Sequence, residues 1–135
     1  MAAETTIETL HGPWPWAKDA QYAQAVRIGD TILTGGQGGF TEDGNLVSTD
    51  TAEQTRQTFR NLQAVLAQFG ETLDAVAAMT VYIADPADYE VFKQVRSEFL
   101  SHPFPASTAV GAGTLLVEGM KVEIQATAVA GGKRR

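Results

Sequence analysis

The first periodic pattern in the chain alternates between apolar and polar residues with a period of two. Residues 23–28 and 31–35 are rich in Val, Ile, Leu and Thr, and Gly29-Asp30 lies between them. A glycine at this place suits a tight turn because it accepts positive φ. The pattern predicts a β-hairpin, followed by a turn-rich loop at residues 41–46.

A helical period replaces the strand period over residues 51–69, where apolar side chains recur every three or four positions. Thr51 and Gln54 fit the spacing of a capping box at the helix start, and Gly70 fits a C-terminal stop. The pattern therefore predicts a long amphipathic helix. Its buried face is predicted to consist of Phe59, Leu62, Val65, Leu66 and Phe69.

A strand and a second helix follow. Residues 76–83 form an apolar segment of strand length. Asp85 and Pro86 suit the cap and the first position of a helix, and His102-Pro103 ends it. The apolar stripe of this helix is predicted to consist of Phe92, Val95 and Phe99.

Two strands complete the chain, near residues 107–111 and 121–129. Alternation in the last one places Glu123 on the face opposite Val122 and Ile124. The order ββαβαββ predicts a two-layer α+β domain, in which two helices cover one face of a single mixed sheet. The other sheet face stays uncovered, and small domains often cover such a face by forming oligomers.

Size and charge narrow the class of protein. The 135 residues suit one domain with a core at about 20–130, a short N-terminal extension and a frayed tail after residue 130. The net charge is −6. Nucleic-acid and anionic-membrane partners are not expected, because both favour a basic surface.

Cysteine and histidine give little sign of chemistry. The chain has no cysteine, and His11 and His102 are not spaced as a metal pair, so we expect no metal site. The glycines at 35–39 lack the Lys-Ser/Thr of a phosphate-binding loop. The N-terminus lacks the pattern of a signal peptide and no apolar run is long enough for a membrane span, so the expected location is the cytoplasm.

Six short motifs occur in a recognisable order. Together they resemble the RidA family, also called YjgF/YER057c/UK114. The resemblance implies a chorismate-mutase-like sandwich, a homotrimer with clefts between subunits, and hydrolysis of reactive enamines and imines to 2-oxo acids and ammonia without cofactor or metal. The motifs are the hairpin from Tyr22 to Gln37, residues 53–57, residues 61–66, residues 80–85, Pro105-Ala106 and residues 122–126.

The resemblance also implies site residues. Tyr22, Gly36 and Gln37 match positions that border the ligand, and Glu123 matches the glutamate that positions or activates water. The family sequence Pro-Ala-Arg-Ser/Thr becomes Pro-Ala-Ser107-Thr108, so the arginine that grips the substrate carboxylate is missing. We hypothesise that the two hydroxyl groups line a more neutral pocket and change the choice of substrate. Alternatively, both residues only start a strand and bond to the local backbone.

Several questions stay open at this level. Arg27 or Arg96 could reach a cleft across an interface and replace the missing guanidinium, and the family's mid-helix asparagine position falls near Lys93. Trp14 and Trp16 could cover a pocket, pack on a neighbouring subunit or anchor the N-terminal segment. The leading function is an imine or enamine hydrolase, and the alternative is a non-catalytic trimer that binds a small molecule.

Overall fold

The structure is a computed structural model that describes residues 3–135. Two α-helices are present in this range: α1 at Thr51–Ala67 and α2 at Tyr89–Arg96. Short 3-10 helices lie at Pro15–Asp19, Leu73–Ala75 and Pro86–Asp88. The strands are β1 Glu8–Leu10, β2 Ala25–Ile28, β3 Thr31–Thr34, β4 Gln37–Gly38, β5 Val76–Ile83, β6 Ala106–Gly111 and β7 Val122–Val129.

All seven strands form one sheet in the order β1-β2-β3-β7-β5-β6, with β4 pairing to β7 beyond the end of β3. Only β5 and β6 run parallel, and the other described pairs are antiparallel. The sheet is therefore mixed, as the sequence predicts. The connection between β5 and β6 contains α2, as a parallel crossover requires.

Both helices pack on one face of this sheet and enclose the main core, which confirms the two-layer α+β prediction. Phe59 of α1 stacks on Phe92 of α2 at 6.0 Å between ring centroids, and on Phe99 at 5.0 Å. Alternate residues of β7 are buried beneath the helices. These residues are Val122, Ile124, Ala126 and Ala128.

The start of α1 differs from the predicted capping box. Asp50 is the cap, and its carboxylate accepts a hydrogen bond from the backbone N–H of Glu53 at 3.0 Å. Gln54 is buried instead, where its amide donates to the carbonyls of Ser48 and Gly119. Its Oε1 also accepts from the backbone N–H of Lys121, so the side chain fixes the loop that precedes β7.

The second helix begins as predicted, although it changes type. The Asp85 carboxylate accepts from the N–H of Ala87 at 2.9 Å and caps the 3-10 turn Pro86–Asp88, from which α2 continues. Phe99 lies beyond the end of α2 and still packs against the core.

Two strands were not predicted. β1 has only three residues, and it adds to the edge of the hairpin with Thr9 opposite Val26. β4 has only two, and its Gly38 pairs with Glu123. Neither segment is long enough to show an alternating pattern of its own. Backbone hydrogen bonds to a neighbouring strand hold each of them in the sheet.

The C-terminal tail differs from the frayed end expected from the sequence. The guanidinium of Arg134 donates to the carbonyls of Pro103 at 2.7 Å, Leu73 at 2.8 Å and Val76 at 2.9 Å. It also donates to the carbonyl of Asp74 at 3.2 Å. These bonds tie the tail to the start of β5 and to the loop before β6.

Among the described residues, no helix packs on the opposite face of the sheet. The register places Leu33, Thr80, Tyr82 and Gln125 on this face, whereas Ile32 lies in the core. Within residues 3–135, the helices are too short or too polar to cross a membrane.

Candidate functional site

A cavity of about 390 Å³ opens between β4, the start of β7 and the N-terminal segment. Four of the six site residues that the resemblance implies line it: Tyr22, Gly36, Gln37 and Glu123. The fold therefore brings together residues that are up to about a hundred positions apart in the chain. The volume is in the range that holds a small organic molecule.

Glu123 is positioned by β7, between Gly38 of β4 on one side and Tyr82 of β5 on the other. Its side chain is half-buried, and burial raises the pKa of its carboxyl above the usual value for glutamate. No Lys, Arg or His in residues 3–135 forms an ion pair with it. A carboxylate that is partly dry and has no cationic partner is a better proton acceptor than one in water.

Gly36 makes room for this carboxylate. A Cβ atom placed on residue 36 would overlap the Oε1 and Cδ atoms of Glu123. The backbone of Gly36 does not have positive φ, so the reason for glycine is space and not conformation. Gly36 thus allows the loop after β3 to pass close to the carboxyl group.

Gln37 supports the wall of the cavity through hydrogen bonds to its neighbours. It is buried, and its Nε2 donates to Oε1 of Gln24 at 2.9 Å and to the carbonyl of Gly35 at 3.4 Å. Gln24 was not singled out from the sequence, although it lines the same cavity and is only 2% exposed. A glutamine between Ala23 and Ala25 at the start of a predicted strand was the available signal.

The two tryptophans lie stacked, with ring centroids 5.6 Å apart and 7° between planes. Trp14 is 7% exposed and packs with Ala25 and Val65, so it anchors the N-terminal segment. Trp16 lies 6.4 Å from Phe40 and lines the cavity. Trp14 lines the cavity as well, so this residue combines anchoring and pocket-lining, which the sequence left as alternatives.

The mouth of the cavity has an apolar, exposed rim. Tyr22 is 56% exposed there, and Leu116 on the loop before β7 is fully exposed. Large apolar side chains at a cavity mouth are typical of surfaces that meet a ligand or another chain.

Ser107 and Thr108 lie outside this cavity within one subunit. They point to opposite faces of β6, because Ser107 pairs with the buried Met79 and Thr108 pairs with Thr80 on the open face. Ser107 lines a separate cleft of about 280 Å³ together with Lys93 and Arg96.

The two arginines considered as replacements have different surroundings. Arg27 donates to the carbonyl of Gly29 at 2.8 Å and lies 3.7 Å from Asp30, so it is engaged within its own hairpin. Arg96 lies in the cleft of Ser107, with its guanidinium carbon 5.5 Å from the ring centroid of Phe92. Arg96 and Lys93 are therefore the two cations that share the cleft of Ser107, the position of the missing arginine.

The cavity of Glu123 has a different charge character. None of its lining residues within the described chain is a Lys, Arg or His. In the same range, no group of three His, Cys, Asp or Glu side chains is arranged to hold a metal ion. The chemistry that these residues support is proton transfer between a carboxyl group, a water molecule and a bound substrate.

The comparisons with known proteins identify the family. A family model described as endoribonuclease L-PSP matches residues 15–130. The crystal structure of RidA from the Antarctic bacterium Psychrobacter sp. PAMC 21119 superposes with a TM-score of 0.79 at 31% identity, covering 93% of this chain and 99% of that one. The chain belongs to the RidA family.

Curated RidA relatives cover most of the chain. The mitochondrial protein mmf2 of Schizosaccharomyces pombe is 37% identical over 109 residues, which are 79% of this chain and 86% of that protein. The human 2-iminobutanoate/2-iminopropanoate deaminase is 32% identical over 111 residues, which are 82% of this chain and 80% of the human protein. Relatives that are named imine deaminases support an enzymatic activity of the RidA type.

Proposed function

We propose that this RidA-family protein hydrolyses a small imine or enamine in the cavity of Glu123, without a cofactor. The observation that carries the proposal is the half-buried carboxyl of Glu123, which is held against Gly36 and has no ion-pair partner in residues 3–135. The names of the deaminase relatives add support for the class of reaction.

The proposed reaction begins with the addition of water. Glu123 accepts a proton from water while the water oxygen forms a bond to the imine carbon, and the π electrons of C=N move to nitrogen, which takes up this proton from Glu123. The resulting carbinolamine then gives its hydroxyl proton to Glu123 as the oxygen becomes a carbonyl and the C–N bond breaks. Glu123 returns its proton to the leaving nitrogen, so one imine and one water give one carbonyl compound and one ammonia.

We also propose that substrate choice differs from that of the archetypal family members. Serine at position 107 offers one neutral donor, whereas arginine pairs with a carboxylate through two parallel hydrogen bonds. Losing such charge-assisted bonds costs about 1.5–3 kcal/mol. The described walls of the Glu123 cavity supply no cation in its place.

The proposed assembly is a homotrimer with sites at subunit interfaces. The uncovered sheet face and the exposed Tyr22 support it, as does the separation of Ser107 from Glu123 within one subunit. Light scattering after size exclusion tests this point. A trimer has a mass of roughly 43 kDa, three times the 14.4 kDa of the chain, and a monomer would contradict the proposal.

The test of function compares the wild type with Glu123→Gln. Amino-acid oxidases generate imines that carry a carboxylate group, and amine oxidases generate imines without one. The release of ammonia from each is followed with and without the protein. We expect acceleration by the wild type and its loss in Glu123→Gln. Glu118→Gln is the matched control, because Glu118 is exposed and does not line the cavity.

The alternative function predicts another result in the same experiment. A non-catalytic binding trimer would give no acceleration with any imine, although ligands would still bind in the cavity.

A further inference from the structure

The helix α1 buries a row of polar side chains in addition to its apolar face. Gln54, Thr58 and Asn61 are spaced by four and three positions, so they share one side of the helix, and each is at most 5% exposed. Buried polar groups in folded proteins nearly always have hydrogen-bond partners. The partners of this row therefore indicate which part of the fold it supports.

Asn61 forms hydrogen bonds with both ends of its side-chain amide. Its Nδ2 donates to the carbonyl of Gly38 and to the carbonyl of Phe40, each at 2.8 Å. Its Oδ1 accepts from Nε2 of Gln57 at 2.9 Å. Because the two carbonyls can only accept, the nitrogen of Asn61 must face them, and both of its N–H groups are engaged. Asn61 therefore holds the backbone on both sides of Gly39.

The backbone of α1 lies against the same segment. A Cβ atom placed on Gly39 would come within 2.8 Å of the Cα atom and of the carbonyl oxygen of Gln54. The side-chain amide of Gln54 also fixes the loop that precedes β7. One helix thus holds both strands that meet at Glu123, because Asn61 holds β4 and Gln54 holds the chain that enters β7.

β4 depends on this support because it is short. Its two residues pair only with Glu123 and Ile124 of β7, so few backbone hydrogen bonds hold it there. Gly36, against which the carboxyl group of Glu123 packs, directly precedes β4. A shift of β4 away from α1 would therefore move Gly36 as well, and water could reach the carboxyl group from this side.

We propose that Asn61 is a positioning residue for Glu123: its amide holds β4 against α1 and so keeps Gly36 beside the carboxyl group. Exclusion of water by this contact agrees with the raised pKa of Glu123, which burial causes. The effect on turnover rests on the proposed hydrolase function. The effect on the carboxyl group does not, because its titration can be followed without a substrate.

The first experiment follows the titration of the Glu123 side-chain carboxyl by ¹³C NMR, with Glu123→Gln to assign the signal. Asn61→Ala removes both donors to β4. We expect the midpoint to fall towards the usual glutamate value of about 4.3, because water reaches the carboxyl group. Thr55→Val is the matched control and should leave the midpoint unchanged. Thr55 is also buried in α1, but its hydroxyl donates to the carbonyl of Thr51 in the same helix.

The second experiment measures turnover of an imine that the wild type hydrolyses. The pH is set above the midpoints of all variants, so that the carboxyl group of Glu123 is ionised in each. A misplaced catalytic group slows the chemical step more than it weakens binding, so we expect kcat of Asn61→Ala to fall about tenfold with little change in KM. Thr55→Val should keep the wild-type kcat.

Gly39→Ala tests the same contact from the other side. Its new methyl group meets the backbone of Gln54, so it must push the segment after β4 away from α1 while Asn61 is unchanged. The midpoint of Glu123 and kcat should fall as they do in Asn61→Ala. If Asn61→Ala does not fold, Gly39→Ala decides.

The outcomes are distinct. A midpoint that stays at the wild-type value in the folded variants would overturn the proposal. An equal fall of kcat in Thr55→Val would also overturn it, because the loss of any buried hydrogen bond in α1 would then suffice. A raised KM with an unmoved midpoint would overturn it in favour of direct contact between Asn61 and the substrate. If the midpoint falls while even the wild type hydrolyses no imine, the proposed function fails and this inference stands.

Discussion

The carboxylate of Glu123 occupies the space that a side chain at Gly36 would need. The two residues lie 87 positions apart, on the loop after β3 and on β7, and they meet because β4 pairs with β7 beside them. The position of the proposed base therefore depends on the lack of a side chain in another element. This dependence can be tested without changing the carboxyl group.

Gly36→Ala should reduce kcat/KM strongly, by about 10²-fold, because the new methyl group pushes the carboxyl away from its place and small displacements of catalytic groups are costly. The thermal midpoint should fall much less than the activity. Gly12→Ala is the control, since a Cβ there meets nothing within 4 Å. Unchanged activity in Gly36→Ala would show that the location of this carboxyl is not needed for turnover.

The pH dependence of turnover should report Glu123. The carboxyl must be ionised to accept a proton from water, and burial raises its pKa. We expect kcat/KM to rise with pH through an inflection above the usual glutamate range, about 4.3. Rates measured with a neutral substrate, whose own titration is known, check this point. An inflection at or below the usual glutamate value would contradict the assignment of Glu123 as the base.

Glu123→Gln should make the folded protein more stable at neutral pH. Because the pKa of Glu123 is higher in the folded than in the unfolded chain, folding favours the protonated form. The contribution of this group to stability is therefore greatest below the unfolded pKa and is lost as pH rises through the folded pKa. We expect the variant to melt about 1–3 °C higher at pH 7, with no difference at acidic pH. Thermal unfolding across pH measures this, and a variant that is less stable at neutral pH would contradict it.

Arg134→Ala should destabilise the fold, although residue 134 is next to the C-terminal residue. Its guanidinium donates to carbonyls of the segment before β5 and of the loop before β6. Hydrogen bonds to charged groups contribute about 1.5–3 kcal/mol, and partial exposure lowers the expected loss to about 1–2 kcal/mol. Urea unfolding compares the variant with Arg135→Ala, an exposed neighbour that should change little. Equal losses of stability in the two variants would mean that the hydrogen bonds of Arg134 add nothing to the free energy of unfolding.

The sequence predicts most of the fold because the periodic elements carry their own signal. The alternation of β7 places Glu123 on the face opposite Val122 and Ile124, as the structure has it. β4 carries no such signal, since its two residues are held by the backbone of β7. The sequence predicts the cap of α1 one residue too late, because both Asp50 and Thr51 are residue types that cap helices.

The candidate site was harder to predict than the fold. Resemblance to a family supplies Glu123 and Gly36, but it gives no hint of Gln24, which lines the same cavity and accepts a hydrogen bond from Gln37. The place of Gln24 can be recognised only when its surroundings are known. Likewise, the separation of Ser107 from the cavity depends on the register of β6 against β5. The six small residues of β6 show no clear alternation of apolar and polar side chains from which this register could be predicted.

β6 lies at the open edge of the sheet, and this position affects the tendency of the protein to aggregate. Each of its six residues is exposed, and neither a charge nor a proline occurs between Ala106 and Gly111. The unpaired backbone N–H and C=O groups of such an edge strand can form hydrogen bonds with an extended segment of another chain. A single subunit with this open edge is therefore expected to tend towards aggregation, which an assembly such as the proposed trimer would counter.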